Sequence, residues 1–400
     1  MVLAYDDVKR ATRDWETFSS NSLGGVPIPH QRAARSVRQL PIETDPPAQK
    51  RYRDLIVEWF ARRRLDQFEP ELTAIARELV ERFVRRVRCE FVEELALPMV
   101  VRSLAATLGR PQQEADLWAS WSPNNVYAEG DGRLGPNPGL ERYLADVIDA
   151  AHRSPGDDLF GRLARAEVDG RSLTRDELMG FGHLVLAAGR GTLVDAITGS
   201  VWYLAGHPDE RARLARQPEL LPVAVEGFLR HLSPLAHIGR WARADTAVGS
   251  CPIPRDTLVS LGFVFANHDP AAFEDPDRCV IDRRPNRHLA FGHGPHTCIG
   301  AHLARLELRV LLRELLAIAP SFHLAGAGRL SVPGPRVHPH RGGIRGAAPG
   351  GGRWVTRAGP ASSGPGATRT GGASRRCPRS SSSTTPTRRS HGPSRHHCRR

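Results

Sequence analysis

The sequence has almost no lysine. Lys9 and Lys50 are the two among 56 basic side chains, and the rest are arginine. It shows no leading signal peptide and no apolar run of transmembrane length, which argues against export and membrane insertion. Its six cysteines, at 89, 251, 279, 298, 377 and 398, follow no framework spacing, so reduced thiols in a cytosol are expected. Another lack is local. From Ala325 to Arg400 there are 15 arginines but no lysine, aspartate or glutamate. Arg, Gly, Pro, Ser, His and Thr dominate there, and apolar periodicity stops. Such a segment buries too little apolar surface to offset its ordering entropy, so a disordered tail over 325–400 is expected. Taking those arginines from the formal net charge of +13 leaves −2 on residues 1–324. A nucleic-acid role therefore rests on the tail alone, through phosphate neutralisation. Trp354 is its one aromatic residue, so base stacking is unsupported. The terminal His396-His397-Cys398 cluster lacks partner ligands for a metal site.

What is present suffices for one large domain: 400 residues, 40% of them hydrophobic. Leu72, Ile75, Leu79, Phe83 and Val87 fall at helical spacing, and Leu95–Leu108 reads as another helix. Thr44-Asp-Pro-Pro opens a helix, because proline costs little at a helix start. Asn124–Pro138 reads as a loop between helices. Thr174-Arg-Asp-Glu177 is a capping box that begins a long apolar helix to about Ala205. Residues 248–261 read as a hairpin. Residues 301–316 form a last helix, apolar at Ala304, Leu308, Leu311, Leu312 and Leu315.

Directly before that helix stands Phe291-Gly-His-Gly-Pro-His-Thr-Cys-Ile-Gly300. Its glycines make a tight loop open to close backbone approach. Cys298 sits at the loop-to-helix junction, where unpaired N–H groups and the positive dipole end would favour its thiolate. A thiolate held there suits an axial iron ligand.

The stretch resembles the haem-binding signature of the cytochrome P-450 family, Phe-Gly-x-Gly-x-[His/Arg]-x-Cys-x-Gly, and every fixed position is filled. The resemblance spans roughly residues 3–324. It implies a mainly α fold with a small β region, haem b lying between the long central helix and the Cys-loop helix. Met1–Ser20 resembles the strand and short helix after the family's first hairpin, so the haem domain over 1–324 is expected to be incomplete at its N-terminus. By resemblance Cys298 binds iron, while Phe291, His296 and Gly300 belong to the cofactor loop. Gln49 and Arg53 fill the family's His-x-x-x-Arg places beside a haem propionate. Arg240 and His288 are further propionate candidates. Ala187-Ala-Gly-Arg-Gly-Thr192 resembles the central-helix motif Ala-Gly-x-[Asp/Glu]-Thr. Gly189 would let the helix lie over the haem, and the Thr192 hydroxyl would hold oxygen. Gly191 stands where the proton-relaying acid belongs, with Asp195 one turn away.

A second departure lies in Glu226-Gly-Phe-Leu-Arg230. The family's Glu-x-x-Arg would need an acid at Gly227. Arg230 is therefore expected as a buried charge short of a partner, with Glu226 available for an i, i+4 pair and Arg278 as the second cluster arginine. The function implied is a haem-thiolate monooxygenase that inserts one oxygen atom from O2 into a small lipophilic molecule. Electrons would come from NAD(P)H through ferredoxin reductase and a ferredoxin docking on the Cys side. The setting would be the cytoplasm and secondary metabolism, in a GC-rich bacterium given the arginine-heavy usage. One alternative is a haem binder compromised in catalysis by Gly191 and Gly227. The other is a nucleic-acid role for the tail.

Overall fold

The computed structural model describes residues 1–26, 35, 37–121, 126–128, 134–325 and 329–331. Its longer helices are α1 Tyr5–Arg13, α2 Ala48–Val57, α3 Glu69–Arg86, α4 Leu97–Leu108, α5 Pro138–Arg153, α6 Arg175–Ala188, α7 Gly191–Gly206, α8 Pro208–Arg216, α9 Leu221–Leu232 and α10 Ala301–Ile318. The expected periodicities sit where they should. Leu72, Ile75, Leu79 and Phe83 form the buried stripe of α3, which ends at Val87 in a left-handed turn. Leu308, Leu311, Leu312 and Leu315 are the buried face of α10, which packs along α3. The Thr174–Glu177 capping box is formed in both directions.

The small sheets are antiparallel. Strand Ile238–Ala242 pairs with Leu258–Leu261 on one side and Phe18–Ser19 on the other. Val2 bridges Leu261, and α1 packs beneath this sheet, so the first residues form the expected strand and short helix. Strand Arg329–Ser331 lies between Arg88–Glu90 and His323–Leu324. Ordered chain thus passes the expected boundary at 324; the remaining tail, 332–400, lies outside the described residues. The expected loop 124–138 contains a hairpin of Val126–Ala128 with Leu134–Pro136.

Two large apolar clusters organise the helices. One joins α3, the start of α4, α7, α9 and α10; the other joins α2, the rest of α4, α5 and α6. The stretch Arg175–Gly206 is by length and composition apolar enough to cross a bilayer, which corrects the expectation that no such run exists. Its side chains enter both core clusters, as a central packed helix requires. It is broken at Gly189–Arg190, where Arg190 has φ −115° and ψ −70°.

Candidate active site

The Cys loop is held by its own backbone. The Cys298 N–H donates to Phe291 O at 2.8 Å, and Thr297 Oγ1 donates to Gly294 O at 2.8 Å. Gly292 and Gly294 have φ of 68° and 74°. A Cβ at Gly294 would also lie 2.7 Å from Thr12 O, so glycine is what lets the loop rest on α1. Cys298 is exposed to solvent, yet burial is the largest influence on its thiol and pushes its pKa up. Both hold together for a sulfur on the floor of an internal hollow. A backbone hydrogen bond from Gly300 and the charges of Arg53 and Arg305 pull the other way without winning. The Gly300 N–H acts in the expected direction, but desolvation of the anion is the larger influence.

Basic groups gather around this hollow. Arg53 donates to Thr297 O at 2.7 Å, and Gln49, buried, donates to Pro295 O at 2.8 Å. Arg240 is 3% exposed and donates to Gly239 O. Burial lowers its pKa to about 10 against a weaker pull from Asp45. Neither Arg53 nor Arg240 forms an ion pair among the described residues. His296 Nε2 is buried without a partner. Burial, then Arg240 and Arg53, push its pKa down to about 3. Buried cations without carboxylates are costly unless something anionic meets them. An accessible thiol with two arginines and an imidazole nearby fits a haem with its carboxylate edge. Replacing Arg240 with Met should speed haem loss about tenfold, the worth of one charge-assisted bond, with the thiolate spectrum unmoved. Haem transfer to an acceptor apoprotein measures this, and an unchanged rate would remove Arg240 from the site.

Beneath the loop the structure corrects three expectations. His288 is not a propionate donor: its Nε2 meets Glu226 Oε2 at 3.1 Å and its Nδ1 accepts from Ala290 N–H. Glu226 does not pair with Arg230 but with Arg305, at 2.6 and 2.9 Å. Arg305 in turn lies over the Phe291 ring, 4.4 Å from its centroid. Arg278 is an exposed loop charge beside Asp275, and only its carbonyl serves the cluster. Arg230, fully buried, donates to the carbonyls of Asn267 (2.7 Å), Pro276 (2.7 Å) and Arg278 (2.5 Å). Three carbonyls thus meet its terminal nitrogens, but its Nε stays buried without a partner and no carboxylate among the described residues pairs with it. A Cβ at Gly227 would stand 2.9 Å from Val280 O, so this packing leaves no room for an acid there.

On α7, Thr192 donates back to Ala188 O at 3.2 Å, and a Cβ at Gly189 would press on Val185 O at 2.7 Å and on Leu104. Gly189 thus marks a tight helix–helix approach to α4. Asp195 is exposed, yet burial raises its pKa. The Glu226–Arg305–His288 group was not legible from the sequence. His288 and Arg305 lie 62 and 79 residues beyond Glu226, and no local pattern links them to it. Cys89, Cys279 and Cys298 are free thiols.

A family model described as cytochrome P450 matches residues 216–317. Cytochrome P450 107B1 of Saccharopolyspora erythraea is 36% identical over 291 residues, covering 72% of this chain and 71% of that protein. Cyclomarin C epoxidase CymV of Salinispora arenicola is 34% identical over 318 residues, covering 77% and 80%. A solved structure described as a carbohydrate active P450 is 35% identical with a TM-score of 0.77, covering 83% of this chain and 89% of that one.

Proposed function

Since the chain belongs to the cytochrome P450 family, we propose that it is a haem-thiolate monooxygenase of secondary metabolism, acting in the cytoplasm on a small lipophilic substrate. The observation that carries this is the accessible Cys298 thiol in its hollow, with Arg53, Arg240 and His296 around it and, among the described residues, no carboxylate paired to the arginines. Haem b bound there supplies oxygen activation, and thiolate ligation favours O–O cleavage. The chain's own residues do the rest. Cys298 Sγ ligates, and Arg53 and Arg240 hold the carboxylate edge. The packed faces of α6, α7 and α10 exclude water. Thr192 Oγ1 donates to Ala188 O at 3.2 Å and would be the hydroxyl available to hold oxygen. Asp195, one turn on from Gly191 in the sequence, keeps a proton to higher pH than an ordinary aspartate because burial raises its pKa. The epoxidase named among the relatives makes C=C bonds candidates beside C–H bonds. Electrons would arrive from NAD(P)H through a ferredoxin on the Cys face.

Gly191 favours a second reading, a haem protein with inefficient proton delivery. Gly227 bears on it less, since carbonyls hold the two terminal nitrogens of Arg230 and leave only its Nε without a partner. A reduced CO difference spectrum, then NAD(P)H-driven product formation with a ferredoxin system, decides between them. A thiolate band with product supports the monooxygenase. The same band without product supports the second reading, and no thiolate band sinks both.

A further inference from the structure

Arg190 fills the one open position of the motif Ala-Gly-x-[Asp/Glu]-Thr, so the family pattern assigns it nothing. The structure gives it a defined place. Its backbone forms the break between α6 and α7, with hydrogen bonds closing the ladder on either side, Gly189 N–H to Val185 O at 3.1 Å and Val194 N–H to Arg190 O at 3.0 Å. Its side chain is 4% exposed and reaches out of the helix. One guanidinium nitrogen donates to Trp118 O and another to Trp121 O at 3.0 Å. Trp118 lies in the last turn of the short helix Glu114–Ala119 and Trp121 just beyond it, so both carbonyls sit by its negative dipole end, which favours a cation; Trp118 O also accepts from Trp121 N–H at 3.3 Å.

The far end of that contact is itself braced. Trp118 and Trp121 both pack against Tyr143 of α5, with ring centroids 5.9 and 5.4 Å apart. The Tyr143 hydroxyl donates to Glu114 at 2.5 Å, and Arg110 binds both Glu114 and Asp158, the residue that caps the next helix. On the near side, a Cβ at Gly189 would meet Val185 O of its own helix and the Leu104 side chain of α4, so glycine is what fits there. The break is therefore held at two points, by glycine packing on α4 and by Arg190 on the 118–121 segment. Thr192 follows two residues later.

We propose that Arg190 is a positioning residue: by capping the carbonyls of Trp118 and Trp121 it fixes the break between α6 and α7 and with it the direction of the Thr192 hydroxyl. A planar guanidinium spans two carbonyls at once, which an ammonium cannot do with the same geometry. Removing it leaves both carbonyls buried and without this donor, a penalty felt at each end of the contact. The inference rests on the haem-thiolate reading for what Thr192 does, but not for the clamp itself.

The test uses the haem-loaded full chain and its Arg190→Met and Arg190→Lys variants. Amide hydrogen exchange is followed in 114–121, in 186–193 and, as a control, in α10. Arg190→Met should speed exchange by about 10- to 100-fold in both of the first two segments, the span expected for losing charge-assisted buried bonds, and leave α10 unchanged. Recombination of CO after flash photolysis, which probes the face Thr192 borders, should change several-fold. Arg190→Lys should restore part of both effects. Faster exchange in 114–121 alone, an equal rise in α10, or unaltered CO recombination would each overturn the proposal. If Arg190→Met does not fold, Arg190→Lys decides by itself: intermediate exchange in both segments supports the clamp, and wild-type exchange in both overturns it. Failure of the wild-type protein to give a thiolate CO band would sink the functional reading, while the exchange data still judge the clamp.

Discussion

Cys298→Ser will keep the fold, and its reduced CO complex will lack the long-wavelength Soret band of thiolate ligation. The substitution conserves size and leaves the Cys298 backbone bond to Phe291 O untouched. Its cost in stability should be at most about 1 kcal/mol, as for a near-isosteric change. The loss at iron is far larger, because a serine hydroxyl is not ionised near neutral pH and oxygen is a poor match for the ligation seen in this family. Haem affinity should fall by tenfold or more, about 1.4 kcal/mol or more in binding. The structure also says what a persisting thiolate band would require, namely another reachable thiol. Cys89 and Cys279 are buried, and burial pushes both to about 12. No second accessible free thiol exists among the described residues. A thiolate band in Cys298→Ser would thus overturn the assignment of the whole site. Circular dichroism of the same sample separates this result from unfolding.

The helices and the Cys loop were legible because their signals are local. Periodicity placed the stripe of α3 and the face of α10, and glycine spacing placed the loop. The break at Gly189–Arg190 was not legible, since the sequence runs apolar from 175 to 205 and the cause of the break is partly a carbonyl of the distant 118–121 segment. The reading of Arg230 as a charge short of a partner held for its Nε and for the absent carboxylate, but it missed the carbonyls for a related reason. A missing acid at Gly227 is visible on one helix, but the carbonyls that replace it come from the chain around 267–278, which takes shape only in the fold. His288 was assigned by nearness in sequence to Cys298, whereas its ring turns to Glu226 on α9. Distance along the chain is a poor guide to which side of a loop a side chain faces. The acid ends of the cluster were visible as residues, not as partners.

Glu226→Gln should be the most destabilising single change at the site, by about 2–3 kcal/mol, the range for charge-assisted hydrogen bonds that are partly buried. The carboxylate lies between Arg305 and His288, and glutamine keeps its shape while removing its charge. Its amide hydrogens would point at a guanidinium. Burial alone would raise the Glu226 pKa, but the bonds from Arg305 and His288 override it and hold the group down at about 2. The sign of the pH dependence follows. The ordinary value is 4.5, so the folded state favours the charged form and the stabilisation is complete above that pH. It drains away as pH falls from about 4.5 toward 2, where the folded carboxylate also takes a proton. Urea unfolding of wild type and Glu226→Gln should therefore show a gap that is full at pH 7 and narrows across that window. A gap that stays constant with pH would mean that shape rather than charge holds the cluster. The consequence reaches the iron ligand, because Arg305 stacks on Phe291 and lowers the Cys298 thiol from outside the hollow. With Glu226 neutral, Arg305 loses its anchor and the cation is free to turn to solvent. The thiolate then loses one of its opposing charges, so the reduction potential of the haem-loaded variant should shift while that of Arg278→Gln, a surface change, should not.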